Sequence, residues 1–285
     1  MPPIALGFLL VAALLHAGWN LFVKRAGEKQ VFTWWGLVVG SVCFAPLLLV
    51  SQSFPLHIWP YVIFSALVEG AYYIILTSAY EHGDFSLIYP MARGAAPAFL
   101  VVWAVVFLGE RPRPAGFVGL ALLVLGLVMV GGNTWWSLRK TTALSRSGII
   151  LALSVALCIS IYSAIDGAAV HIVAPLPYTV LVISLSTVFI TPVILVRYGG
   201  RAAVTEWRAN WLRIVIVGIL MMLSYMLVLQ TYAIAHVSYA GAIREISVVF
   251  AAFIGWRWLG EDFGLLRLVG ASVIFVGILV IAIGG

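Results

Sequence analysis

Charge is scarce in this chain. Only 9% of its 285 residues are Asp, Glu, Lys or Arg, while 64% are apolar. A soluble domain carries about 25% charged residues, so a water-facing surface is excluded and the solvent for most of the chain must be lipid. Cysteine is scarcer still: Cys43 and Cys158 each sit within an apolar run with no CxxC or Cys/His spacing nearby. That excludes a zinc ribbon or disulfide framework and predicts two buried thiols. There is no basic stripe either, because the 16 Lys and Arg fall in short clusters between apolar runs. The net charge of +6 therefore reads as membrane topology and not as nucleic-acid binding. An HExxH helix and a pair of membrane aspartates are also missing, which leaves an intramembrane lipid-modifying enzyme with only the Gly83-Asp84 dipeptide in its favour. Nothing in the sequence requires a cofactor or metal. The first apolar run, Ile4 to Val23, has no basic segment ahead of it and continues past Ala12 and Ala13, so it reads as a retained helix and not as a cleaved signal peptide.

What the chain has in abundance is apolar runs of about 20 residues, the length that spans a bilayer as a helix. They fall at approximately 3–23, 31–50, 58–79, 85–108, 114–131, 147–166, 176–196, 211–234, 237–259 and 264–284. The expected fold class is therefore an all-α integral membrane protein of ten transmembrane helices. Most connections are short and polar or carry breakers, such as Gly109-Glu110-Arg111-Pro112-Arg113-Pro114 and Ala174-Pro175-Leu176-Pro177. The longest, Gly132 to Arg146, holds Trp135, Trp136, Arg139 and Lys140 and reads as an interfacial anchor between two halves.

Basic residues set the expected orientation. Lys24, Arg25, Lys29, Arg139, Lys140, Arg146, Arg197, Arg201, Arg208, Arg213, Arg257 and Arg267 belong to one side, and only Arg111 and Arg113 to the other. The heavier side is cytoplasmic by the positive-inside rule. With an even number of spans, both termini are then extracytoplasmic, in a cell (inner) membrane.

The halves repeat. Ser86-Leu87-Ile88-Tyr89-Pro90-Met91-Ala92-Arg93 through Phe107-Leu108-Gly109-Glu110 matches Ser238-Tyr239-Ala240-Gly241-Ala242-Ile243-Arg244 through Trp258-Leu259-Gly260-Glu261, with arginines and glutamates both 151 residues apart. Tyr73/Tyr225 and Tyr80/Tyr232 match at 152. Five spans per half is odd, so equivalent helices run in opposite directions, an inverted repeat of the kind found in many transporters. The repeats are taken as 1–141 and 142–285.

Charges within spans are the functional candidates, since such residues normally face a bundle interior or a water-filled cavity. Glu69 lies about 18 Å along the third span from His57, at about 1.5 Å per residue. Arg93 and Arg244 lie about 12 and 10 Å into the fourth and ninth. Glu69, Tyr72, Tyr73 and Tyr80 share one helical face. Tyr225 and Tyr232 repeat the theme in the eighth span. Tyr89, Arg93, Ala96 and Leu100 align in the fourth; His236, Ala240, Arg244 and Ser247 align in the ninth, which also holds Tyr239. The first span adds His16, Trp19 and Asn20, and the sixth adds Tyr162 and Asp166. Together they are expected to line one aromatic, sparsely charged cavity in which a guanidinium or carboxylate orients a zwitterion. Interhelical packing by the tyrosines and structural ion pairing by the arginines are the alternatives. Glu69 and Glu245 are candidates for proton coupling. Asp84 and Asp166, at span boundaries, are expected to be wet; Glu110 and Glu261 are expected to serve helix ends. Pro90 and Pro97 predict a kink with a gating role. The glycines of the fifth and tenth spans predict close packing, within a monomer or through a weak homodimer.

The paired segments and Ser238-Tyr239-Ala240-Gly241-Ala242-Ile243-Arg244-Glu245-Ile246-Ser247-Val248-Val249-Phe250, with Ile161-Tyr162-Ser163-Ala164-Ile165-Asp166-Gly167, give the chain a resemblance along its whole length. It resembles the ten-helix EamA-type exporters of the drug/metabolite transporter superfamily, and within it exporters of amino acids, including aromatic ones. The resemblance implies a central cavity lined by spans 1, 3, 4, 6, 8 and 9, with 5 and 10 peripheral, and alternating access for a small-molecule substrate. Proton-coupled efflux of hydrophobic drugs or amines is the alternative. The halves differ at Gly94, where the second has Glu245, so the Arg-Glu pair of the second half has no counterpart in the first.

Overall fold

The computed structural model describes residues 1–49, 54–82, 85–138, 146–247, 249–250 and 265–284, and among these it is helical with no strand. In chain order the helices are α1 (Pro3–Arg25), α2 (Lys29–Phe44), the short α3 (Pro46–Leu49), α4 (Trp59–His82), α5 (Phe85–Phe107), α6 (Pro114–Leu138), α7 (Arg146–Ala169), α8 (Pro175–Tyr232), α9 (Val237–Arg244) and α10 (Leu265–Gly284). Apart from α3, which lies inside the expected second span, each begins where an expected span begins or within a few residues of it. Large apolar side chains such as Val42, Leu49, Val106, Phe107, Val196 and Ile283 point outward, as they do when the surrounding solvent is lipid.

Two connections depart from the expected loops. The seventh and eighth spans are joined by helix, so that α8 is assigned 58 residues. A straight helix of that length would reach about 87 Å, well over twice the bilayer core. It is broken at Gly199, with φ 75° and ψ 159°, and again at Asn210. The first conformation is essentially open only to glycine. Between the breaks, Arg201, Glu206, Trp207 and Arg208 form a polar helical segment whose sequence contains no proline to stop it. Likewise α6 continues past its apolar run to Leu138, taking Trp135 and Trp136 into the helix; residues 139–145 lie outside the described set. The helix α5 is unbroken across Pro90 and Pro97. Neither cysteine is fully buried: Cys43 faces outward and Cys158 is half-buried, which costs a weakly polar thiol little against lipid.

The packing pairs respect the repeat. Writing first-half and second-half equivalents side by side, α4 packs on α7 as α1 packs on the second half of α8, and α5 packs on α7 as α9 packs on α1. α2 packs on both halves of α8, with Trp34 and Ser41 meeting Thr191 and Thr187 of the first half and Gly36 and Gly40 meeting Gly218 of the second, and α6 packs on α10. Glycine makes these last contacts close. A Cβ on Gly119 would lie 2.9 Å from the Gly277 carbonyl oxygen, and one on Gly126 would lie 2.7 Å from that of Gly270. The glycine faces of the fifth and tenth spans are therefore turned to one another within one chain.

Candidate functional site

The repeat-related helices enclose a chamber lined by His16 and Trp19 from α1, Glu69, Tyr72 and Tyr73 from α4, Tyr162 from α7, Met221, Ser224, Tyr225 and Val228 from α8, and Arg244 from α9. Eight of these eleven are sequence-selected candidates; Met221, Ser224 and Val228 are not, because single apolar or small residues carry no signal in so apolar a sequence. The rings form a continuous wall. Tyr73, Tyr72, Tyr162 and Tyr225 contact edge to face in turn, with centroids 4.9, 5.7 and 5.9 Å apart, the arrangement their quadrupoles favour. The space left for centres of water-sized molecules is about 30 Å³, room for about two waters. This chamber is contracted.

One end is cationic. Arg93 of α5 donates from Nη1 to Glu245 Oε1 at 2.9 Å, and Arg244 donates from Nε to the same oxygen at 3.4 Å. The three side chains are 3%, 4% and 1% exposed for Arg93, Arg244 and Glu245. A single carboxylate thus serves the arginines of both repeats. Backbone geometry explains why Glu245 has no equivalent at Gly94. α5 runs on as a helix through Arg93, whereas α9 yields at Arg244: Glu245 and Ile246 bond to carbonyls three residues back, Ala242 and Ile243, at 3.1 and 3.0 Å. Such a tightened turn within a span is a common mark of a functional hinge. The 3.4 Å contact is the only hydrogen bond Arg244 makes among the described residues, so its terminal amino groups are left to the chamber. His16 supports that end. Its Nδ1 accepts from Trp19 Nε1 at 3.2 Å while Nε2 has no partner among the described residues; a neutral ring so bonded carries its proton on Nε2.

Two carboxyls are buried around the same chamber. Glu69, 2% exposed, accepts from Ser186 Oγ at 3.3 Å. Asp166 is 0% exposed and accepts from Tyr178 at 2.7 Å and from Tyr225. The expectation of a wet Asp166 is therefore corrected: α7 continues to Ala169, and Pro175 starts α8 so soon afterwards that Tyr178 folds back over the carboxylate. Its spacing of four residues from Tyr162 was the available signal. Neither carboxyl is ion-paired among the described residues.

The remaining candidates are dispersed. Asn20 is buried on α1 and donates to the His16 carbonyl at 2.8 Å. Tyr232 and Ser247 are buried but do not line the chamber. Tyr239 lies at the start of α9, edge to face with His236, where its hydroxyl accepts from the Arg113 backbone N–H at 3.1 Å. Tyr80 and Tyr89 lie on α4 and α5, and their side chains are outside the described set, as are Asp84 and Glu261. Glu110 caps α9 across the repeat boundary, accepting from Val237 N at 2.5 Å and from Ser238 N and Oγ at 3.2 and 2.5 Å.

An all-α membrane protein whose paired repeats enclose a buried, charged and aromatic chamber has the build of a carrier. The EamA-like transporter family matches residues 3–132 and 146–283, nearly the whole chain in two copies, and the protein belongs to that family. It is a membrane transporter of small molecules. No curated protein matches the sequence. A crystal structure of a protein 18% identical, covering 99% of both chains, superposes with a TM-score of 0.77 and shares the fold.

Proposed function

We propose that the chain exports neutral amino acids, preferring aromatic or large apolar side chains, by alternating access through the chamber. The observation that carries this reading is a buried Arg244 whose terminal amino groups have no hydrogen-bond partner among the described residues, in a chamber lined by tyrosines and by Glu69. A guanidinium fork matches a carboxylate, and flat rings match an apolar or aromatic side chain. The contracted chamber is read as an occluded state that widens as helices rock, with α5 and its two prolines among the moving parts. Repeats bounded at 1–141 and 142–285, an inner-membrane location and both termini outside accompany this reading on the strength of the basic-residue bias. A monomer fits the inward-turned glycines of α6 and α10; a weak homodimer through those helices would need their remaining faces. The test is counterflow of labelled Phe, Trp, Met and Thr in proteoliposomes. Saturable exchange above empty liposomes is expected, and none for any of the four counts against the substrate class.

A second reading is proton-coupled efflux of hydrophobic amines or drugs, favoured by Glu69 being buried with, among the described residues, only the Ser186 hydroxyl bonded to it. A buried carboxyl so lightly held can take a proton or an ammonium in turn. Glu245, bridged by two arginines, is the less available of the two coupling candidates. Unchanged transport and pH dependence in Glu69→Gln would remove the coupling.

A further inference from the structure

We propose that Asp166 is a positioning residue that makes one end of the chamber selective for a substrate ammonium group, by holding the Tyr225 hydroxyl so that only its lone pairs are offered to the ligand. This rests on the amino-acid reading above and assigns the direction in which such a substrate lies. Asp166 itself does not line the chamber, but Tyr225 does. A phenol has one proton. With that proton given to the Asp166 Oδ2 atom, the Tyr225 oxygen can accept from the chamber and cannot donate into it. Tyr178 occupies the other carboxylate oxygen at 2.7 Å, fixing the carboxylate plane.

Glu69, on the adjacent wall, is an acceptor when ionised. Its bond from Ser186 uses Oε2. Acceptors are therefore gathered on the α4 and α8 side, backed by the Asp166 charge on α7. On the α9 and α1 side stand donors: the terminal nitrogens of Arg244 and the Nε2 atom of His16. Tyrosine faces between the two ends add favourable contact for a cation. A ligand with an ammonium and a carboxylate on one carbon would place the first toward Glu69 and Tyr225 and the second toward Arg244. The donors and acceptors would mismatch if it were reversed.

The test uses the full chain in proteoliposomes, with inhibition of labelled Phe counterflow by unlabelled Phe, 2-phenylethylamine and 3-phenylpropionate. In Asp166→Asn the side-chain amide keeps one acceptor and presents N–H to the other phenol, which must then turn its own proton elsewhere. Inhibition by Phe and 2-phenylethylamine should weaken at least about tenfold, while 3-phenylpropionate stays within about twofold, the tenfold step corresponding to about 1.4 kcal/mol. Asp166→Glu, which retains a carboxylate for the phenols, should recover part of the amine affinity. If Asp166→Asn does not fold, Tyr225→Phe deletes the same acceptor and is read on the same panel. Equal weakening of all three ligands, or none, overturns the proposal. If the wild type shows no Phe counterflow, the amino-acid reading fails by itself. Binding of 2-phenylethylamine followed by tryptophan fluorescence then decides: tenfold weaker binding in Asp166→Asn supports the ammonium end, and unchanged or undetectable binding in the wild type overturns it.

Discussion

Glu245 is buried between two arginines, yet its two contacts differ in a way that a double-mutant cycle resolves. The Arg93 contact, at 2.9 Å, has the length of a charge-assisted hydrogen bond. The Arg244 contact, at 3.4 Å, is longer than the about 2.7–3.2 Å of well-formed N–H···O bonds. Hydrogen bonds to charged groups contribute about 1.5–3 kcal/mol net, so the coupling between Arg93 and Glu245 should be about 2 kcal/mol. That exceeds the about 0.6 kcal/mol average for polar pairs between membrane helices. The coupling between Arg244 and Glu245 should fall below about 1 kcal/mol, because a bond stretched beyond its normal range forfeits most of that gain. Glu245→Gln alone should destabilise by about 3–5 kcal/mol, since two guanidinium groups stay buried without their carboxylate. The assay is equilibrium unfolding in mixed micelles of the wild type, Arg93→Met, Arg244→Met, Glu245→Gln and the two doubles, with transport measured alongside. Arg93→Met should lose mainly stability and Arg244→Met mainly transport. Equal couplings, or a larger one for Arg244, would refute the division between a structural and a ligand-facing arginine.

Gly218→Ala should destabilise by about 1–3 kcal/mol, because its Cβ would lie 2.5 Å from the Gly36 carbonyl oxygen and 3.0 Å from the Gly40 nitrogen, backbone atoms that cannot turn aside. Gly200→Ala, with nothing within 4 Å, is the control in the same thermal melts and should leave the midpoint unmoved. Gly199→Ala should cost about 1–3 kcal/mol by a different route, forcing an alanine to the φ of 75° that separates the halves of α8; a melt unchanged from the wild type would show that the break can shift. Glu110→Ala removes the acceptor for Val237 N and for Ser238 N and Oγ and should cost about 1–2 kcal/mol, with hydrogen exchange accelerated first at the start of α9. Protection there equal to the wild type would refute the cap.

The fold was legible because lipid imposes a coarse rule: runs of apolar residues mark spans, and breakers and charges mark their ends. The same uniformity hides detail. The segment after Gly199 reads as a loop by hydropathy, since Arg201, Glu206 and Arg208 end the apolar run, but nothing in it stops a helix. The chamber was legible wherever a polar or aromatic side chain recurs at helical spacing, as with Glu69, Tyr72 and Tyr73. It was not legible at Asp166, which lies near a span end where a carboxylate is ordinarily wet; the two phenols that bury it come from Tyr178, twelve residues on, and Tyr225, 59 residues on. Tyr239 shows the reverse error. It stands on the same helix as Arg244 but five residues away and so on another face, and Gly116 of α6 leaves a gap into which its ring packs, where a Cβ would collide with it.

The two halves agree in sequence where they disagree in conformation, and that difference has a physical basis in one residue pair. Arg93 and Arg244 are equivalent by repeat, each buried, each reaching the same carboxylate. After Arg93 comes Gly94, and α5 continues there as a helix beside α6, where a Cβ would make an ordinary 3.7 Å contact with that of Leu127. After Arg244 comes Glu245, and the helix there tightens from four-residue to three-residue bonding, which swings the carboxylate back to both guanidinium groups. Had both halves kept the glycine, two buried arginines would face each other unneutralised; had both kept the glutamate, each arginine would be neutralised and no net positive charge would remain. One glutamate for two arginines leaves a single net positive charge, and the weaker of the two contacts is the one beside the chamber. A symmetric scaffold is thereby given an asymmetric site, with the first repeat supplying the anchored arginine and the second the arginine open to an anionic group.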